Sequence, residues 1–86
     1  MKGVVHMFRI ETESSMFAVS VPHKTFKSFV RALCTMRYAV LNRARDYGYE
    51  LKEGLAYEID NNRFVVEFID EFGFIHSFHV VEIEDG

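Results

Sequence analysis

The chain has 86 residues, 49% of them apolar, with nine Phe, one Cys and a net charge of −3. That length leaves room for a single domain over residues 1–86 and for no second one. The lone cysteine, Cys34, excludes an internal disulfide. No apolar run forms a signal peptide or approaches the roughly 18 residues of a membrane span, so a soluble cytoplasmic protein is the expectation.

In chain order, "VVHMFRIE" (residues 4–11) and "MFAVSV" (16–21) are short and rich in β-branched and aromatic residues, with the polar "TESS" between them. This pattern predicts a hairpin. Pro22 ends the second strand, and its preset φ suits the approach to a helix. The helix is predicted from His23 or Thr25 to Tyr47, with Gly48 as its left-handed stop. Phe26, Phe29, Val30, Leu33, Met36, Val40, Leu41, Ala44 and Tyr47 follow the helical period and predict the apolar stripe.

Three strands are predicted after the loop "GYELKEG". In the first, Leu55, Tyr57 and Ile59 alternate with Ala56, Glu58 and Asp60. "DNNR" reads as a tight turn, because Asn tolerates positive φ. "RFVVEFID" follows, then "DEFG" with Gly73 in a left-handed turn position, then "FIHSFHVVEIE". The last two strands carry apolar residues on both faces, which predicts a sheet covered by the helix on one side and by a partner or second copy on the other. The expected fold is α+β in the order ββαβββ, one long amphipathic helix on a mostly antiparallel five-stranded sheet.

Chemistry is weakly marked. His76 and His79 in "HSFH" sit three apart on a strand and point to opposite faces, so they do not chelate one ion. A shared-face pair of His6 and His76 requires adjacent strands and has no obvious third ligand, so no metal or cofactor is expected. Cys34 reads as small buried filler on the flank of the stripe, which argues against a Cys/His nucleophile. The glycines are scattered, so no phosphate-cradling loop is present. With no catalytic constellation in view, a non-enzymatic role is the expectation.

The charge layout is more informative. Residues 1–52 hold nine Lys and Arg against four acids, whereas residues 53–86 hold one, Arg63, against nine. The acidic half offers Glu58, Asp60, Glu67, Asp70, Glu71, Glu82 and Glu84 on strands and turns, with Phe72, Phe74 and Phe78 as surplus aromatic anchors. Carboxylates on a rigid sheet around aromatic anchors fit a protein partner's basic groove and can imitate a phosphate backbone. A stoichiometric regulator or inhibitor, working as a homodimer, is the leading expectation. The alternative is nucleic-acid binding by a basic helical ridge of Lys24, Lys27, Arg31, Tyr38 and Arg45, cations for phosphate beside one ring for stacking.

Arg37 stands among apolar helical neighbours, including Leu33, Val40 and Leu41. A buried or half-buried ion pair with Glu67 or Glu58 is expected, since a lone buried cation is too costly; the other outlet is a dimer interface.

Overall fold

The computed structural model describes residues 5–14, 17 and 22–85, the side chains of Val5, Glu84 and Asp85 excepted. The elements are β1 (Val5–Thr12), α1 (Phe29–Tyr47), β2 (Leu51–Asp60), β3 (Arg63–Asp70) and β4 (Ile75–Asp85). One helix packs on an antiparallel sheet whose spatial order is β1-β4-β3-β2. Among the described residues the sheet therefore has four strands, against the five expected. The strand expected at 16–21 lies outside the described residues except for Phe17, which occupies a turn and is fully buried.

The strand order also departs from a simple run of hairpins. β2–β3 and β3–β4 are hairpins, but β1 crosses to pair with β4, from Val5 opposite Asp85 to Thr12 opposite Phe78. The outer edge of β1 meets Phe26, whose backbone exchanges two hydrogen bonds with Phe8 at 2.8 and 2.7 Å. The segment before the helix is thus tied to the sheet by its backbone, and this is why the helix starts late.

The helix begins at Phe29 rather than at His23 or Thr25. Ser28 keeps an extended backbone and its hydroxyl accepts from the Arg31 amide at 3.3 Å, satisfying one of the amides that have no intrahelical partner. At the other end Gly48 has φ of 76°, with its amide on the Arg45 carbonyl and the Tyr49 amide on the Ala44 carbonyl. This paired closure needs the left-handed region that glycine enters freely.

The buried line along α1 is Ala32, Met36, Val40 and Ala44. It steps by four, and its two alanines let the helix lie close to the sheet. Phe29 and Leu33 pack beside it, whereas Val30, Leu41 and Tyr47 of the expected stripe are exposed. Cys34 is exposed as well and is not core filler. Alanine is easily overlooked as a core residue, and recognising Ala32 turns the helix by a fraction of a turn.

Alternation divides the sheet into two faces. Phe8, Ile10, Phe64, Val66, Phe68, Phe78 and Val80 meet the helix. Phe68 and Phe78 stand edge to face at 5.6 Å, and Phe17 closes on Phe78 at 6.0 Å. The opposite face carries Arg9, Glu11, Arg63, Val65, Glu67, Ile69, Ile75, His79 and Val81 in register; Val65 and Val81 on it are buried, whereas Ile69 and Ile75 are exposed.

β2 is the open edge. Nine of its ten residues are exposed, and its register with β3 slips between Glu53 and Ala56 and again between Glu58 and Asp60. Irregular pairing with charged side chains is how exposed edges avoid adding further strands. The Asn61-Asn62 turn does not use positive φ; instead Asp60 Oδ1 accepts from the Asn62 amide at 3.0 Å. An aspartate-capped turn replaces the left-handed asparagine expected there. Gly73 does take φ of 89°, in the β3–β4 turn.

Candidate functional site

The acidic and aromatic residues of the second half do not form one surface. Glu71 is exposed, and Phe72 and Phe74 project from the β3–β4 turn with 70% and 67% of their surface open. Phe78 is 0% exposed, because its place in β4 points it into the core, so it is not a surface anchor. Leu55, Tyr57 and Ile59 on β2, with Ile69 and Ile75 on the sheet face away from the helix, are also exposed. Apolar side chains thus run from the tip of one hairpin to the edge of the other.

Asp70 belongs to the turn that supports this tip and is itself buried. Its Oδ1 accepts from the amides of Phe72 and Phe74 at 2.9 and 3.0 Å. Its Oδ2 lies 3.0 Å from Nε2 of His76, and Nδ1 of that ring lies 2.9 Å from the Ser14 hydroxyl. Nε2–H donates to Asp70, and Nδ1 and the Ser14 hydroxyl share the second hydrogen bond. The hydrogen bond from His76 depresses the Asp70 pKa; burial opposes this, and the amides of Phe74 and Phe72 and the charge of His76 reinforce it.

A hydroxyl, an imidazole and a carboxylate in line are also the components of a nucleophilic triad. Here the histidine packs edge-on against Phe17 at 5.2 Å, and the carboxylate is committed to the turn amides. The arrangement fastens the β3–β4 turn to the segment after β1. It was not legible in the sequence, because Ser14 and His76 meet only through the β1–β4 pairing.

A second unforeseen cluster lies on the sheet face away from the helix. Glu11 accepts from Arg9 Nε at 2.8 Å and from Arg63 at 3.2 Å, and Arg63 also donates to Nδ1 of His79 at 3.1 Å. Partial burial pushes the Glu11 pKa up, but the hydrogen bonds and charges of the two arginines outweigh it and hold it below the ordinary value. Beside it, the Tyr57 hydroxyl donates to Glu67 at 2.9 Å, which raises the tyrosine pKa. Glu67 is therefore spoken for, and it faces away from the helix.

That placement explains Arg37. Its Nε donates to Oε1 of Glu53 at 2.7 Å, with 37% of the arginine side chain exposed. Neither Glu67 nor Glu58 is the partner. Glu67 lies on the wrong face, and Glu58 sits across from Phe64, which packs on Phe29 at the start of the helix. The pair is half-exposed, so its stabilisation is on the order of 0–1 kcal/mol.

On the helix side, Glu58, Asp60 and Glu82 rim a cavity floored by Phe8, Phe29 and Phe64. Glu82 is bonded to Nδ1 of His6. The backbone of Glu84 extends β4, with its side chain outside the described residues. The structure thus gathers three of the predicted carboxylates, gives Glu67 and Asp70 internal partners, and leaves Glu71 with the exposed aromatic tip.

The predicted basic ridge is shortened. Lys24 and Lys27 precede the helix, and Lys24 lies over the Phe26 ring at 5.2 Å, so they do not continue the helical spacing. Arg31, Tyr38 and Arg45 do lie on α1 at intervals of seven, and all three are exposed. Arg43 stacks over Tyr47 at 5.0 Å, one turn along the helix, and its buried Nε has no hydrogen-bond partner among the described residues. Among the described residues no group of three or more His, Cys, Asp or Glu is placed to hold a metal ion, and no helix is long and apolar enough to cross a membrane.

No protein-family model matches the chain, and comparisons with curated proteins and with solved structures likewise find no match. The functional reading rests on the surface itself.

Proposed function

We propose that the chain is a small, non-catalytic protein-interaction module, acting stoichiometrically as a regulator or inhibitor of its partner. The observation that carries this reading is the run of exposed large apolar side chains from Leu55, Tyr57 and Ile59 through Ile69 and Ile75 to Phe72 and Phe74. Single exposed apolar residues are ordinary on a small protein, but seven large ones on β2, the outer sheet face and the β3–β4 turn, beside charged groups, have the composition of an interface. Phe72 and Phe74 supply the aromatic anchors, and Glu71 contributes charge at the tip. A second copy of the chain is one candidate partner for this surface.

The test is affinity capture from the native host with the wild-type chain and with a Tyr57→Ser, Phe72→Ser, Phe74→Ser variant, analysed by mass spectrometry. A partner retained by the wild type and lost by the variant supports the reading; equal retention sinks it. Size-exclusion chromatography with light scattering addresses self-association, and a monomer at high concentration removes the homodimer.

The exposed line of Arg31, Tyr38 and Arg45 favours one further reading, a nucleic-acid contact. Phosphate neutralisation would give binding that weakens steeply with salt and is lost on Arg31→Ala with Arg45→Ala. Heparin retention with that signature would displace the interaction reading, whereas flow-through at low salt would dismiss the alternative.

A further inference from the structure

Between the start of α1 and the β2–β3 turn lies a cavity of about 230 Å³. This is below the ~300 Å³ at which small-molecule pockets begin, and it is of the order of a single side chain. Its floor is aromatic. Phe29 stands edge to face with Phe8 at 5.9 Å and with Phe64 at 5.4 Å, and all three rings are only half-buried. The face of an aromatic ring is the electron-rich side of its quadrupole and attracts a cation placed over it.

The rim has the same sign. Glu58 is exposed on β2 and carries no ion pair among the described residues. Asp60 is exposed in the turn and uses Oδ1 for the Asn62 amide. Glu82 faces His6. Arg63 also borders the cavity, but its guanidinium reaches the other side of the sheet, where it is held by Glu11 and His79. Three carboxylates over three rings therefore surround the cavity with no cation of the chain seated above the rings among the described residues.

We propose that this cavity receives one basic side chain, arginine or lysine, from a protein partner. The inference rests on the interaction reading and gives the partner's chemistry at a second contact, on the helix side of the sheet. Aromatic rings and carboxylates act together on a cation. The rings take its apolar stem and its charge, and the carboxylates accept its N–H groups. Arginine suits the site better than lysine, because its planar fork can stack on a ring while bonding Glu58 or Asp60.

The test uses the whole chain and two synthetic peptides, hexa-arginine and its uncharged counterpart hexa-citrulline, titrated by NMR. Hexa-arginine is expected to shift the ring resonances of Phe8, Phe29 and Phe64 and the amides around Glu58 and Asp60, with hexa-citrulline silent. Replacing the rim, Glu58→Gln with Asp60→Asn, should weaken binding by about tenfold, the scale of losing charge-assisted contacts. Both residues are exposed and the asparagine keeps the turn acceptor, so folding is expected to survive; circular dichroism checks it. Unchanged affinity in that variant, equal binding of hexa-citrulline, or no shifts at roughly millimolar peptide overturns the proposal. Shifts confined to Glu71, Phe72 and Phe74 would overturn it while leaving the interaction reading standing. That reading fails separately if capture is insensitive to the Tyr57, Phe72 and Phe74 replacements.

Discussion

The Nε2 of His76 lies 3.0 Å from Oδ2 of Asp70, and the pair joins the β3–β4 turn to Ser14 beyond β1. A turn that carries two exposed phenyl rings is thereby fixed by a buried carboxylate accepting from a side chain and two amides. Rigid support of exposed anchors lowers the ordering cost of binding.

Asp70 makes stability depend on pH in a defined direction. Its pKa is lower in the folded chain than in the unfolded one, so the folded state gains from the ionised carboxylate. That gain is complete above the ordinary aspartate value of about 4 and is lost as pH falls through the depressed folded value. Urea unfolding from pH 7 down to pH 2 should show wild type more stable than Asp70→Asn at neutral pH, with the gap closing in acid. A gap undiminished at pH 2 would show that ionisation is not its source.

Arg37 and Glu53 should contribute little. Both side chains are more than a third exposed, and pairs of that kind stabilise by about 0–1 kcal/mol. A double-mutant cycle with Arg37→Met and Glu53→Gln should give a coupling within that range. A coupling of several kcal/mol would mean a far less hydrated pair.

The helix boundaries are separable by substitution. Ser28→Ala should cost about 0.5–2 kcal/mol by removing the acceptor for the Arg31 amide, and Gly48→Ala about 1–2 kcal/mol from the left-handed φ. Thr25→Ala should be within roughly 0.5 kcal/mol of wild type, since Thr25 is exposed and precedes the cap. Chemical denaturation reads all three, and a reversed order of Thr25 and Ser28 would restore the longer helix.

Phe72 and Phe78 differ as surface and core do. Phe78→Ala should destabilise by about 3–5 kcal/mol, whereas Phe72→Ser should leave the denaturation midpoint nearly unchanged. A large loss from Phe72→Ser would mean that the ring packs on the fold instead of projecting from it.

These contrasts show what local pattern can and cannot carry. The helix, its glycine stop, both hairpins of the second half and the opposite facing of His76 and His79 are local consequences of period and turn chemistry, and all are present. The helix starts later than its period predicts because Phe26 has the right spacing for a helix yet spends its backbone on Phe8. Alternation points Arg37 to Glu67 or Glu58 and not to Glu53, because it does not encode the slip in register after Glu53. Phe78 looked like a surplus ring because composition alone does not say which Phe the core can hold. The cavity rimmed by Glu58, Asp60 and Glu82 depends on β4 lying beside both β1 and β3, a long-range pairing that no short window contains.

That pairing also governs the order of assembly. β1 finds its only described strand partner in β4, with Val5 opposite Asp85, so the first strand must wait for the last. The helix and the β2–β3–β4 meander can form from nearby contacts, while closing the sheet requires everything between β1 and β4 to loop back. On a ribosome, β1 would be made well before β4, so Phe8 and Ile10 would lack their neighbouring strand until β4 has been synthesised.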